Sequence, residues 1–162
     1  MGIASFGLGR WFHRDTLPDA GLAPTYGYQL PHGDRGLILI VDDSETVQAF
    51  LSKMLRQAGY MTEVACDGSS GLRMVMKHQP DLVLMDLVMP GTGGFEATRE
   101  IRNNPEFDDL PIIVMSGNQQ ATEQFWSQRI GADDFMAKPF SRTEVLTRIA
   151  SLMPEYSLAS GL

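Results

Sequence analysis

A chain of 162 residues suits one ordinary domain with residues to spare and is too short for two of full size. Its composition, 43% hydrophobic and 20% charged, supplies one real core and excludes disorder throughout. A net charge of −7 argues against a protein whose task is to neutralise nucleic-acid phosphates, and no apolar run approaches the roughly 18–20 residues of a membrane-spanning helix. A cytoplasmic protein with no nucleic-acid partner and no membrane span is expected.

The single cysteine, Cys66, excludes an intrachain disulfide and a Cys-based zinc cluster. Its apolar run, Val64-Ala65-Cys66, reads as a buried structural thiol. His13, His32 and His78 are too scattered to form a metal cluster and read as surface residues.

Residues 1–36 carry turn formers, among them Pro18, Gly21, Pro24, Pro31 and Gly33, without sustained apolar periodicity. They read as a flexible N-terminal extension. Its aromatics, Phe6, Trp11, Phe12, Tyr26 and Tyr28, are numerous for a plain linker, which leaves docking on the domain or on a partner open.

From Leu37 the pattern changes to short apolar runs alternating with amphipathic stretches. The predicted strands are Leu37 to Val41, Met61 to Cys66, Leu82 to Met85, Ile112 to Met115 and Phe135 to Ala137. After the first, Val47, Phe50, Leu51, Met54 and Leu55 recur at helical spacing, and Gly59 is a plausible stop. The second helix begins near Ser69 with Leu72, Val75 and Met76 inward, and the third sets Phe95, Thr98 and Ile101 on one face. The fourth, about Thr122 to Ile130, has Phe125 and Trp126 side by side, so one of them faces outward or toward a partner. The fifth starts at Ser141, paired with Glu144 in a capping box ahead of Val145, Leu146, Ile149, Leu152 and Met153.

Five β-α units imply an α/β fold: a doubly wound, five-stranded parallel sheet of order 2-1-3-4-5, flavodoxin-like, with five helices. The domain spans residues 37–153, and 154–162 form a C-terminal tail. Ligands of such sheets bind beyond the carboxyl ends of the strands. Those ends carry Asp42 and Asp43, Asp86, Ser116 and Lys138. Three carboxylates in a partly desolvated pocket repel one another, so a cation among them is implied; oxygen ligands without His or Cys suit Mg²⁺. An acidic patch without a ligand is the alternative. Lys138 precedes Pro139, which holds Lys138 extended and directs its side chain. A cation opposite a metal-bound carboxylate leaves room for an anion, and phosphoryl oxygens match that arrangement.

Ile40-Val41-Asp42-Asp43, Leu84-Met85-Asp86-Leu87-Val88-Met89-Pro90 with Gly94, Val114-Met115-Ser116-Gly117 and Ala137-Lys138-Pro139-Phe140 resemble the receiver family of two-component signalling. The resemblance implies that Asp86 is the phosphoacceptor. It further implies that Asp43, Asp86 and the Val88 carbonyl bind Mg²⁺, that Asp42 acts largely through metal-bound water, and that Ser116 and Lys138 hold the phosphoryl group. Phe135, three residues before Lys138, is by the same resemblance a switch aromatic acting on the face of the fourth helix, fifth strand and fifth helix.

The implied partners are a histidine kinase and a downstream protein target on that face, with the chain a monomer or a phosphorylation-dependent dimer. Such a domain catalyses only its own phosphorylation and dephosphorylation. A narrower similarity, through Phe125 to Ala132 and Met85 to Gly91, is to regulators of type IV pilus twitching motility. The expected function is a stand-alone signalling switch, since only nine residues follow Met153. A phosphate sink in such a pathway is the alternative. A Mg²⁺-dependent phosphohydrolase would need a second Asp two residues after the nucleophile, where this chain has Val88.

Overall fold

The computed structural model describes residues 35–118, 120, 122 and 130–153. In chain order these form β1 (Leu37–Val41), α1 (Glu45–Gln57), β2 (Met61–Ala65), α2 (Gly68–His78), β3 (Leu82–Asp86), α3 (Gly94–Arg102), a 3-10 turn (Pro105–Phe107), β4 (Ile112–Ser116), β5 (Asp134–Ala137) and α4 (Arg142–Leu152). The helix expected over 122–130 falls almost wholly on residues outside the described set. The helix after β5 is therefore the fourth described, α4, and corresponds to the predicted fifth.

All four strand pairings are parallel, and the order is β2-β1-β3-β4-β5. The sequence shows why: every residue of β3 and β4 and four of the five in β1 are buried, as expected for strands covered on both faces. Alternate side chains feed two core layers. Leu39, Val41, Val83 and Val114 meet Val75 of α2 and Phe95 and Ile101 of α3. Ile38, Ile40, Leu84 and Met115 meet Leu51 and Leu55 of α1 and Val145 and Ile149 of α4.

Helix ends follow local chemistry. The Ser44 hydroxyl accepts from the Val47 N–H at the start of α1, and Gly59 takes φ +93° just past its end. Asp67 and Ser70 form a reciprocal capping box on α2. At α4 the Ser141 hydroxyl accepts from the Glu144 N–H, but the Glu144 carboxylate goes to Arg148 instead of closing the box.

Three side-chain expectations are corrected. Cys66 is exposed, not buried, because β2 is an edge strand that ends at Ala65 and the thiol lies beyond it. Phe50 is 48% exposed and Met76 53% exposed, because the inward stripes run through Leu51, Met54 and Leu55 on α1 and through Gly68, Gly71 and Val75 on α2. Phe50 instead packs against Phe140, ring centroids 6.4 Å apart. β2 and the strands expected over 82–85, 112–115 and 135–137 differ from the observed ones by a single terminal residue. His78 is exposed, as expected.

Candidate functional site

The strand order reverses direction at β1 and β3, which opens a crevice at their carboxyl ends. Val41 pairs with Met85, so Asp42 and Asp86 are the next residues on neighbouring strands. Across the sheet Ser116 pairs with Ala137, and the Lys138 N–H donates to the Ser116 carbonyl. Register alone thus gathers Asp42, Asp43, Asp86, Ser116 and Lys138 at one rim.

Asp42, Asp43 and Asp86 each offer a carboxylate oxygen, and these oxygens lie within 4.8 Å of one another. Asp42 and Asp86 are buried, while Asp43 is exposed at the mouth. Lys138 Nζ lies 2.6 Å from Asp42 Oδ2 and 3.2 Å from Asp86 Oδ2, and the Lys138-Pro139 bond is cis. The Asp42 side chain is wholly buried and also accepts from the Ser44 N–H at 2.9 Å.

Burial raises the Asp86 carboxyl above its ordinary range; Asp42 adds to the rise, and Lys138 opposes it without cancelling it. Burial works against the Lys138 ammonium too, but its bond to Asp42 and the charges of Asp86 and Asp42 outweigh that and hold it charged. Three carboxylates and one ammonium leave a residual charge of −2. An all-oxygen donor set with that charge fits a hard divalent cation.

Ser116 is buried, its hydroxyl accepting from the Asn118 N–H at 3.0 Å. Val88 is 50% exposed, and its N–H reaches Asp86 Oδ1 at 3.4 Å. Phe135 is partly buried against the α2 and α3 core layer.

Gln48 and Gly68, which also shape the crevice, escaped the sequence reading, whereas Gly94 was among the motif residues. Gln48 of α1 donates to the Asp42 carbonyl at 2.6 Å and to the Ala65 carbonyl at 3.3 Å, tying α1 to the ends of β1 and β2. Its helical register, one turn after the Ser44 cap, was the available signal. Gly94 lets α3 start hard against β3, since a Cβ there would lie 2.0 Å from the Asp86 carbonyl oxygen. Gly68 does the same for α2 against the Thr92 carbonyl, at 2.6 Å.

A family model described as response regulator receiver domain matches residues 38–150. The chain belongs to that family. It is similar to PilH of Pseudomonas aeruginosa, with 38% identity over 116 residues that cover 72% of this chain and 96% of that protein. It is also similar to the response regulator MprA of Mycobacterium leprae, 39% identical over 116 residues, where it spans about half of the relative's length (72% of this chain, 50% of MprA).

Among solved structures, the chemotaxis protein CheY4 of Vibrio cholerae superposes with TM-score 0.66 at 28% identity, covering 72% of this chain and 97% of that one. The receiver domain of the sensor histidine kinase PA1611 of Pseudomonas aeruginosa superposes with TM-score 0.68 at 31% identity, covering 74% and 98%. That structure has a magnesium ion coordinated in its active-site cleft. The family implied by the sequence motifs and the flavodoxin-like sheet order implied by the five β-α units are thereby borne out. Among the described residues no helix is long and apolar enough to cross a membrane.

Proposed function

We propose that this receiver domain is a phosphorylation-controlled switch that accepts a phosphoryl group from a histidine kinase on Asp86. The observation that carries the reading is the close gathering of the Asp42, Asp43 and Asp86 oxygens with the Lys138 ammonium 3.2 Å from Asp86. Asp43, Asp86 and the Val88 carbonyl would hold Mg²⁺ directly, with Asp42 acting largely through its water shell. The ion supplies neutralisation of charge on the transferring oxygens and a template that orients them.

The chain's own groups do the rest. Burial makes the Asp86 carboxylate more basic than an exposed one and leaves it poorly solvated, which favours attack on phosphorus. One Asp86 oxygen bonds to the phosphorus of a phosphohistidine as the P–N bond breaks, giving an acyl phosphate and a free imidazole. Lys138 and the Ser116 hydroxyl then hold the phosphoryl oxygens. Val88 and Asn118 flank the path of hydrolytic water and offer no strong general base, so self-dephosphorylation is slow.

Ser116 reaches the phosphoryl group by moving its loop inward, which makes room for Phe135 to turn toward the core and changes the outward face of β5 and α4. A downstream protein reads that face, and the chain works as a monomer or a phosphorylation-dependent dimer in the cytoplasm. Similarity to PilH over 96% of that protein supports a chemotaxis-like or twitching-motility setting. A phosphohydrolase is disfavoured by Val88, where such chemistry needs a second Asp.

The test is intact mass after incubation with a small phosphodonor and Mg²⁺. Wild type gains one phosphoryl adduct and Asp86→Asn gains none; an equal adduct on both would move the acceptor elsewhere.

A further inference from the structure

A cleft of about 360 Å³ lies between α4 and the residues that lead into β1 and β2. Arg35 and Tyr60 line one side, at the amino ends of their strands and so at the opposite end of the sheet from the acidic rim. From α4 come Arg142, Thr143 and Thr147, with Leu146 and Ala150 as an apolar wall. Among the described residues the charged groups that line it are the two arginines, in a chain of net charge −7. The flanking helices do not offset them: Glu144 of α4 is held by Arg148, and the half of α1 nearest Tyr60 carries Lys53 and Arg56 and no acid.

Both arginines are placed by their surroundings. Arg35 Nη1 donates to the Ala58 carbonyl at 3.3 Å, and its guanidinium carbon stands 5.7 Å from the centre of the Tyr60 ring. Arg142 Nη1 donates to Gln57 Oε1 at 3.2 Å, its one side-chain hydrogen bond among the described residues, and it forms no ion pair with them. The other N–H donors of its guanidinium remain for a ligand. Tyr60 is only 5% exposed, yet among the described residues nothing hydrogen-bonds its hydroxyl. That hydroxyl is not sealed from solvent, so it opens into the clefts that the residue lines. Burial raises it above its ordinary value of 10.0, and Arg35, whose charge reaches it, opposes in part, so it keeps its proton near neutrality and can donate.

Two guanidinium forks, a phenol and two threonine hydroxyls supply donors without a carboxylate among them, which suits an oxyanion. They exceed what the two oxygens of a carboxylate can accept, whereas a phosphate offers three terminal oxygens. Space of this size, at the lower end for small-molecule sites, leaves room for a compact organic group against Leu146 and Ala150. We propose that this cleft binds a small phosphate monoester, with Arg35, Arg142 and Tyr60 on the phosphate and Leu146 beside the ester group. The site is separate from the carboxylate rim, so it depends neither on Mg²⁺ nor on Asp86.

The test titrates phenyl phosphate and benzoate separately into the ¹⁵N-labelled full chain at constant ionic strength, in EDTA so that no magnesium draws anions to the rim. Phenyl phosphate should move the amide signals of Tyr60, Leu146 and Thr147 along a saturating curve and bind more tightly than benzoate. Tyr60→Phe and Arg142→Gln should each weaken it roughly tenfold, since each removes a hydrogen bond to a charged group. Unchanged signals from β3 report that both variants are folded. Shifts that rise without levelling, or equal affinity in wild type and either variant, would overturn the proposal. Benzoate bound as tightly as phenyl phosphate would overturn it too, assigning the cleft to carboxylates.

Discussion

Lys138 does not treat its two carboxylates alike: it lies 2.6 Å from Asp42 and 3.2 Å from Asp86. Asp42, wholly buried, holds the ammonium in place, so the amine is pre-positioned beside the phosphoacceptor. Lys138→Ala strands a buried carboxylate. Removing one partner of a buried pair costs roughly 3–5 kcal/mol, and the lower end applies because Lys138 keeps 22% exposure. The variant also leaves all three carboxylates without their ammonium, so Mg²⁺ should raise its thermal midpoint more than that of wild type. Equal gains in the two proteins would contradict the shared charge balance. The residues of this site were legible because each follows an apolar run, and the fold rule says where such residues meet. The Asp42–Lys138 contact was not legible, since it joins residues 96 apart in the chain. Nor was the exposure of Cys66, because an apolar run does not say where an edge strand stops.

At the scale of elements, caps and charged ties set how firmly the helices frame the crevice. The Ser70 backbone N–H holds the Asp67 carboxyl below its ordinary value of 3.8, with Cys66, Ser70 and Arg73 helping. A lowered folded value means the cap stabilises fully above that ordinary value and fades as pH falls through the folded one. Asp67→Ala should therefore cost about 1 kcal/mol near neutrality, and the cost should shrink in acid, as urea unfolding at stepped pH would reveal. A pH-independent difference would assign the loss to something other than the ionised cap. Arg102 of α3 makes a second tie: it donates to the Gly131 carbonyl at 2.6 Å, the Phe107 carbonyl at 2.8 Å and Asp133 at 2.7 Å. Asp133 in turn accepts from the Ile112 N–H that begins β4. Arg102→Met should destabilise by about 1.5–3 kcal/mol, measured by chemical unfolding, because it strands charge-assisted partners while keeping the apolar stem. A change within experimental scatter would show these bonds exchange freely with water. Helical periodicity found α1 to α4, but it made the stripes of α1 and α2 too wide. Phe50 and Met76 sit on the flank of those stripes, and hydrophobicity alone does not separate flank from centre.

For the whole molecule, the switch-point topology converts local sequence into a charged site. The largely buried strands β1 and β3 position carboxylates that would otherwise repel, and Lys138 meets part of that cost. The sheet order was legible from five alternating units, whereas the edge exposure of β2 depended on which strand ended outermost. What the fold leaves is a rim with a residual charge of −2 lined by oxygen. The most direct test of that claim is an equilibrium Mg²⁺ titration of the wild-type chain beside Asp43→Asn and Asp86→Asn, read by calorimetry. One ion should bind wild type, with affinity clearly weakened in each variant. Binding of the same strength in all three proteins would contradict it.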